Sequence, residues 1–211
     1  MNDQVFTIIK ELAKGAKRGE DMGHKKDPRR DPKISEQYNG KDYSFYNCRY
    51  LLNQFLRHYD IPLEHRKWSK EAYNLALKLV SQEQFYEKLR YYEYTEQIVC
   101  DRISEGEKIA VEIYKGNEKE PKIEELTNKT KKKFNAIFTA DHVVPISMIV
   151  SALVDNADML TDDFIAKQLD RIYICTILKS EDRKLPAYKR DSDYESVIAN
   201  TYNKAGIFVV E

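Results

Sequence analysis

Glycine, cysteine and long apolar runs are scarce in this sequence, and each scarcity excludes a class of protein. Seven glycines among 211 residues are too few for the many tight turns of a β-sandwich or a β-barrel. The three cysteines, at positions 48, 100 and 175, are widely separated and include no CxxC pair, which argues against a disulfide framework or a zinc knuckle. No apolar run approaches the roughly 20 residues of a transmembrane helix, and the first residues lack a signal-peptide core. We therefore expect a cytoplasmic protein that does not associate with membranes.

The hydrophobic pattern predicts an α+β fold in which a helical part precedes a smaller mixed part. A helical period covers residues 3–14, and Ser69 is a good N-cap for a helix that follows it. A strand is predicted over 108–114, and two further strands over 134–145 and 171–177. We expect residues 1–133 to form a mostly helical scaffold with a basic arm at about 17–35, and residues 134–211 to form a second region.

The residues most suited to chemistry lie in the segment Asp141-His142-Val143-Val144-Pro145. Histidine can accept a proton at neutral pH, and an adjacent carboxylate can bind a hard cation such as Mg²⁺. Neighbouring residues on a strand project to opposite faces, so we expect a bend near Pro145 to bring both groups to one cleft. Asp182, in the segment KSEDRK that follows the second predicted strand, is a candidate for a further oxygen ligand. A cation, a base and nearby positive side chains suit hydrolysis of a phosphodiester.

Together these segments resemble an HNH (ββα-metal) nuclease motif. FTADHVVPIS is similar to the first strand of that motif, and YICTILKSEDRK resembles the second strand with the helix that follows. The resemblance covers residues 134–186 and implies that region 134–211 carries a ββα-metal catalytic module. It implies that His142 is the general base and that Asp141 and Asp182 bind Mg²⁺ or Mn²⁺.

This sequence departs from the usual HNH pattern at three places. Asp182 stands where the family has Asn or His, and Tyr173 stands where it has its middle Asn. Asn156 is a candidate replacement for that Asn. The third departure is the long separation of His142 from Asp182, which we assign to two short helices inserted at about 147–170.

Basic side chains near these segments indicate double-stranded DNA as the partner. Lysine and arginine bind backbone phosphates and release counterions, and arginine can also read guanine. The cations expected to contact DNA are Arg29, Arg30, Lys131, Lys132, Lys133, Lys179, Arg183 and Lys184. The expected activity is endonucleolytic cleavage to 5′-phosphate and 3′-hydroxyl ends, in the manner of a homodimeric type II restriction endonuclease. The alternatives are a homing or phage-type nicking endonuclease, an RNase of similar fold, and a helical module that binds DNA or protein without catalysis.

Overall fold

A computed structural model describes residues 3–21, 44–85, 97–114, 120–186 and 191–210 of the chain. Helices and strands are both present, compatible with the predicted α+β class. Within the described ranges, the α-helices of four residues or more are α1 (Asp3–Asp21), α2 (Ser44–Arg57), α3 (Lys70–Leu79), α4 (Phe134–Ile137), α5 (Ile146–Asp155), α6 (Asp162–Leu169), α7 (Lys179–Asp182) and α8 (Tyr194–Val197), and a π-helical turn, Ile198–Tyr202, follows α8. The strands in the same ranges are β1 (Arg66–Ser69), β2 (Gln97–Val99), β3 (Ile109–Ile113), β4 (Lys122–Leu126), β5 (Lys131–Lys133), β6 (Phe138–His142), β7 (Ile174–Leu178) and β8 (Val209–Val210).

The largest sheet has four strands in the order β6-β7-β1-β8. Strand β7 pairs antiparallel with β6 and parallel with β1, and β8 pairs antiparallel with β1. Two antiparallel pairs, β2 with β5 and β3 with β4, complete the described strands. Strand β6, which carries the Asp141-His142 pair, is therefore an edge strand of the described sheet.

The chain divides into two compact units that are each discontinuous in sequence. One unit comprises residues 1–60 and 144–172, and the other comprises residues 61–143 and 173–211. The first unit contains α1, α2, α5 and α6, and the second contains the strands given above. These units do not follow the predicted division at 133/134, because the segment between β6 and β7 belongs with the N-terminal helices.

The helical unit depends on a close approach of two helices. A Cβ atom added to Gly15 of α1 would lie 2.5 Å from Sγ of Cys48 on α2, so a larger residue at position 15 would force the Cys48 side chain to move. Buried apolar side chains from α1, α2 and α5 fill the unit, among them Ile9, Leu52 and Leu153. Within the described part of the chain, no helix combines the length and apolarity needed to cross a bilayer.

The core of the sheet unit is built around aromatic rings. The ring of Trp68 on β1 meets Phe85 with centroids 5.1 Å apart and meets Phe138 of β6 edge-on at 5.9 Å. Ser69, the next residue, caps α3 by accepting a hydrogen bond from the backbone N–H of Ala72 at 3.1 Å, as the sequence predicted. These contacts fix β1 in the sheet and start α3 against it.

Three local expectations are corrected by the structure, and a fourth falls on residues that it does not describe. The predicted strand 134–145 begins with helix α4, and only residues 138–142 are extended, because a short apolar run does not distinguish a helical turn from a strand. Helix α1 continues to Asp21, so Lys17 and Arg18 belong to the helix rather than to the basic arm. The part expected to be mostly helical, residues 1–133, also contains strands β1–β5. The rest of the predicted arm, with Arg29 and Arg30, lies outside the described residues.

Candidate functional site

Strands β6 and β7 pair along their whole length and lead directly into a helix. Their register runs from Phe138 opposite Leu178 to His142 opposite Ile174. Helix α7 starts at Lys179, the residue after β7, and ends at Asp182. The two strands expected to pair across the insertion therefore do pair, and the order strand, strand, helix is present. Helix α7 is short, with four residues.

Asp141 and His142 lie on opposite faces of the sheet, because β6 remains regular through both residues. The bend that was expected to bring the two side chains to one cleft is absent from the strand, since Pro145 comes after the strand ends at His142. Both side chains are half-buried. Side chains on either face of an edge strand can still approach one molecule bound along that edge, so a site using both must lie at the outer edge of β6.

The face that carries Asp141 holds a row of three residues from neighbouring strands. Cys175 lies opposite Asp141 on β7, and Lys67 lies opposite Cys175 on β1. Burial raises the pKa of the Cys175 thiol well above its usual value, and the charges of Asp141 and Glu181 raise it further. Cys175 therefore stays protonated at neutral pH, which makes it a poor nucleophile.

A tyrosine from the C-terminal part of the chain contacts Asp141 on this face. The hydroxyl of Tyr202 donates a hydrogen bond to Oδ2 of Asp141. Tyr202 is completely buried, with 0% of its surface exposed, and it ends the π-helical turn Ile198–Tyr202. Sequence reasoning missed Tyr202, because the two residues are 61 positions apart and no local pattern connects them.

The two adjacent acids of α7 have different surroundings. Glu181 is buried, and its Oε2 accepts hydrogen bonds from the Ser69 hydroxyl at 2.5 Å and the Leu178 backbone N–H at 2.8 Å. Glu181 thus ties α7 to the start of α3, and Leu178 is the N-cap residue of α7. Asp182 is half-buried at the end of the helix.

The predicted ligands have the chemistry that a hard divalent cation prefers, since Asp141 and Asp182 both offer carboxylate oxygens. Among the residues that the structure describes, no group of three or more His, Cys, Asp or Glu side chains is arranged to bind a metal ion. The prediction requires two protein ligands, and Mg²⁺ commonly binds through one or two carboxylates together with water and substrate phosphates.

Three rings in contact lie beside the His142 end of the strand pair. The ring of Tyr173 stacks on His65 with centroids 4.0 Å apart, and it packs against Tyr194 at a tilt of 31° with centroids 4.2 Å apart. The carbonyl of Tyr173 accepts a hydrogen bond of 2.9 Å from the backbone N–H of Val143, the residue after His142. Tyr173, which replaces the middle Asn of the HNH pattern, therefore restrains the chain at this point. The other candidate, Asn156, donates to the carbonyl of Ala152 at 2.8 Å, at the end of its own helix α5.

The predicted DNA-binding lysines of β5 alternate between two environments. Lys131 and Lys133 are exposed, whereas Lys132 projects to the other side and forms an ion pair with Glu124. On and after α7, the guanidinium carbon of Arg183 lies 4.2 Å from the centre of the Tyr114 ring. Lys184 is exposed and Lys179 is half-buried.

No family model matches this chain, and no match was found among curated proteins or among solved structures.

Proposed function

We propose that this protein is a metal-dependent DNA endonuclease with an HNH-type catalytic module in its sheet unit. The observation that supports this proposal most directly is the pairing of β6 with β7, which leads immediately into α7. This arrangement places Asp141 and His142 on the first strand and Asp182 on the helix, which is the order that the resemblance implies. An insertion of about 30 residues between the strands has not prevented their pairing.

His142 is the general base of the proposed reaction. Its imidazole accepts a proton from the attacking water, as histidine can at neutral pH. Asp141 and Asp182 hold Mg²⁺ or Mn²⁺ through their carboxylates. The cation, when bound, supplies electrostatic stabilisation for the charge that develops on the phosphate. Cleavage leaves 5′-phosphate and 3′-hydroxyl ends.

The proposed substrate is double-stranded DNA, cut by a cytoplasmic homodimer of the type II restriction kind. Exposed cations support a phosphate-binding surface, since Lys131 and Lys133 are on one side of β5 and Lys184 follows α7. Two-fold symmetry of the protein would match a palindromic site. A homing or phage-type nicking enzyme would use the same module but cut one strand, and an RNase would use it on a different substrate.

A second candidate function is DNA binding without catalysis. It is favoured by the hydrogen bond that Asp141 accepts from the buried Tyr202, which gives this carboxylate a structural role without a metal ion. The basic residues would have the same role in such a protein, and Asp141 would contribute to folding through its contact with Tyr202.

The test is cleavage of unmodified phage DNA by the purified protein with Mg²⁺ or with Mn²⁺, with EDTA as the metal-free control. We expect discrete fragments, which indicate sequence-specific cutting, and we expect no cutting with EDTA. The variant His142→Ala should lose about 100-fold or more of the cleavage rate while its affinity for DNA is retained. His58→Ala is the matched control, because His58 is exposed and belongs to the helical unit.

Intact double-stranded DNA with both metals would contradict the endonuclease proposal and support the binding module. Cleavage of RNA alone would assign the protein to the RNases. Equal rates for His142→Ala and the wild-type protein would show that His142 is not the base.

A further inference from the structure

We infer that Tyr202 is a positioning residue that holds the carboxylate of Asp141 in the orientation that cation binding requires. This inference rests on the proposed function, because it takes Asp141 as a metal ligand. It adds a residue that lies outside the segment resembling the HNH motif, in the C-terminal part of the chain.

The contact is specific and lies within the sheet unit. The Tyr202 hydroxyl donates to Oδ2 of Asp141, and the tyrosine is completely buried while the aspartate is half-buried. A hydrogen bond to a carboxylate is about twice as strong as one between neutral groups. A carboxylate can accept such a bond and also bind a cation, because its two oxygens offer about four lone-pair positions.

The backbone around Tyr202 fixes the position of its ring. Its carbonyl accepts a hydrogen bond of 2.9 Å from the N–H of Ile207, across a turn in which Gly206 has φ +75°. Glycine adopts this left-handed conformation at low cost, whereas a residue with a Cβ is strained there. Residues 209–210 then join the sheet as β8 next to β1. Tyr202 is thus held by the turn that follows it as well as by its own burial.

A fixed donor matters here because Asp141 lies on an edge strand, where an aspartate side chain has more rotational freedom than in a packed interior. Partners that hydrogen-bond a metal ligand orient it for the metal, and their loss typically costs about 10–100-fold in metal affinity or activity. A donor behind Asp141 therefore gives the carboxylate one preferred orientation before the cation binds.

The test compares Tyr202→Phe, which deletes a single oxygen, with Tyr73→Phe as the matched control. The Tyr73 ring packs edge-on against Phe85 in the core of the same unit. Binding of Mn²⁺ alone is measured by electron paramagnetic resonance, with Asp141→Asn as the reference for loss of the ligand. Cleavage rates are then measured over a range of Mn²⁺ concentrations, together with DNA affinity and resistance to urea.

We expect Tyr202→Phe to weaken Mn²⁺ binding and to slow cleavage at low Mn²⁺ by about 10–100-fold. DNA affinity should be unchanged, and high Mn²⁺ concentrations should recover the rate. Tyr73→Phe should match the wild-type protein in both measurements.

Two results would overturn the positioning role while the proposed function stands. In one, Tyr202→Phe binds Mn²⁺ and cuts like the wild-type protein, although Asp141→Asn does neither. In the other, Tyr202→Phe loses activity together with folding stability and no Mn²⁺ concentration recovers it. If the wild-type protein cuts no DNA and its Mn²⁺ binding equals that of Asp141→Asn, the proposed function fails and this inference fails with it.

Discussion

The ring of Tyr173 lies almost parallel to the ring of His65, with an angle of 15° between their planes and 4.0 Å between their centroids. His65 is 7% exposed, so this contact joins the residue before β1 to the residue before β7 in a largely dry environment. The ring of Tyr194 packs against Tyr173 at a tilt of 31°. The stack thus connects three distant parts of the chain at the His142 end of β6.

Removal of the central ring should destabilise the sheet unit. Aromatic pairs contribute about 0.5–1.5 kcal/mol each beyond their burial, so Tyr173→Leu should lower the free energy of unfolding by about 1–3 kcal/mol. Tyr173→Phe keeps both ring contacts and should lose less stability than Tyr173→Leu. Urea unfolding followed by circular dichroism measures the difference. Equal stability of Tyr173→Leu and Tyr173→Phe would show that the stack contributes nothing specific.

A second prediction concerns the link between Ser69 and Glu181. Ser69→Ala removes the cap of α3, which costs about 1 kcal/mol, and it also removes a donor from a buried carboxylate, which costs about 1–3 kcal/mol. Because these two costs add, we expect the free energy of unfolding to fall by about 2–4 kcal/mol in total. Asp193→Ala is the control, because Asp193 is an exposed N-cap that accepts from the Ser196 N–H at 2.9 Å. A loss in Ser69→Ala no larger than in the control would contradict the role of Glu181.

The lysines of β5 should differ in their effect on DNA binding. Each phosphate contact contributes about 0.9 to the slope of log affinity against log salt concentration. The double variant Lys131→Gln/Lys133→Gln should therefore reduce this slope by about 2, for two lost contacts. Lys132→Gln should leave it nearly unchanged, since Lys132 is paired with Glu124. Fluorescence anisotropy with labelled DNA at several salt concentrations measures this slope. Equal slopes for the wild-type protein, the double variant and Lys132→Gln would exclude β5 from the DNA-binding surface.

Asp101 should contribute to the pH dependence of stability. Burial tends to raise the pKa of this carboxyl, but hydrogen bonds from Ser81 and Gln84 outweigh it, so the pKa is lowered overall. A lowered pKa in the folded state gives stability that is present above the unfolded value of about 3.9 and is lost as the pH falls through the folded value. Urea unfolding is measured at several pH values between about 6 and about 2. As the pH falls over this range, Asp101→Asn should lose less stability than the wild-type protein. Identical pH profiles would contradict this assignment.

Local sequence patterns were sufficient to predict several elements of the fold. Ser69 was expected to start a helix, and its hydroxyl accepts a hydrogen bond from the backbone N–H of Ala72. The strand predicted over 108–114 is present as β3, at 109–113. Capping and apolar periodicity depend on neighbours a few residues away, so they can be read without knowledge of the tertiary structure.

Elements that depend on distant partners were not predicted. Strand β1 begins with Arg66 and Lys67 and has no alternating apolar pattern, yet it pairs with β7 on one side and β8 on the other. Strand β5 consists of three lysines and is extended because it pairs with β2. Such strands are specified by pairing and packing rather than by their own composition.

The candidate site, like the fold, was predictable where it depends on local sequence and not where it depends on distant contacts. The sequence placed Asp141 on a strand and Asp182 in a helical turn after the next strand, and the structure has both positions. It did not indicate Tyr202 or the ring contacts of Tyr173, which come from residues far apart in sequence. It also predicted a bend that brings Asp141 and His142 to one cleft, which is wrong because β6 continues through His142.

The most direct test of the account is anomalous X-ray diffraction from crystals of the protein grown with Mn²⁺. The account predicts one strong anomalous peak at the outer edge of β6, with a carboxylate oxygen of Asp141 and one of Asp182 each about 2.0–2.3 Å from it, at ordinary metal–oxygen distances. A manganese ion bound elsewhere, or a peak reached by only one of these two carboxylates, would contradict the proposed metal site.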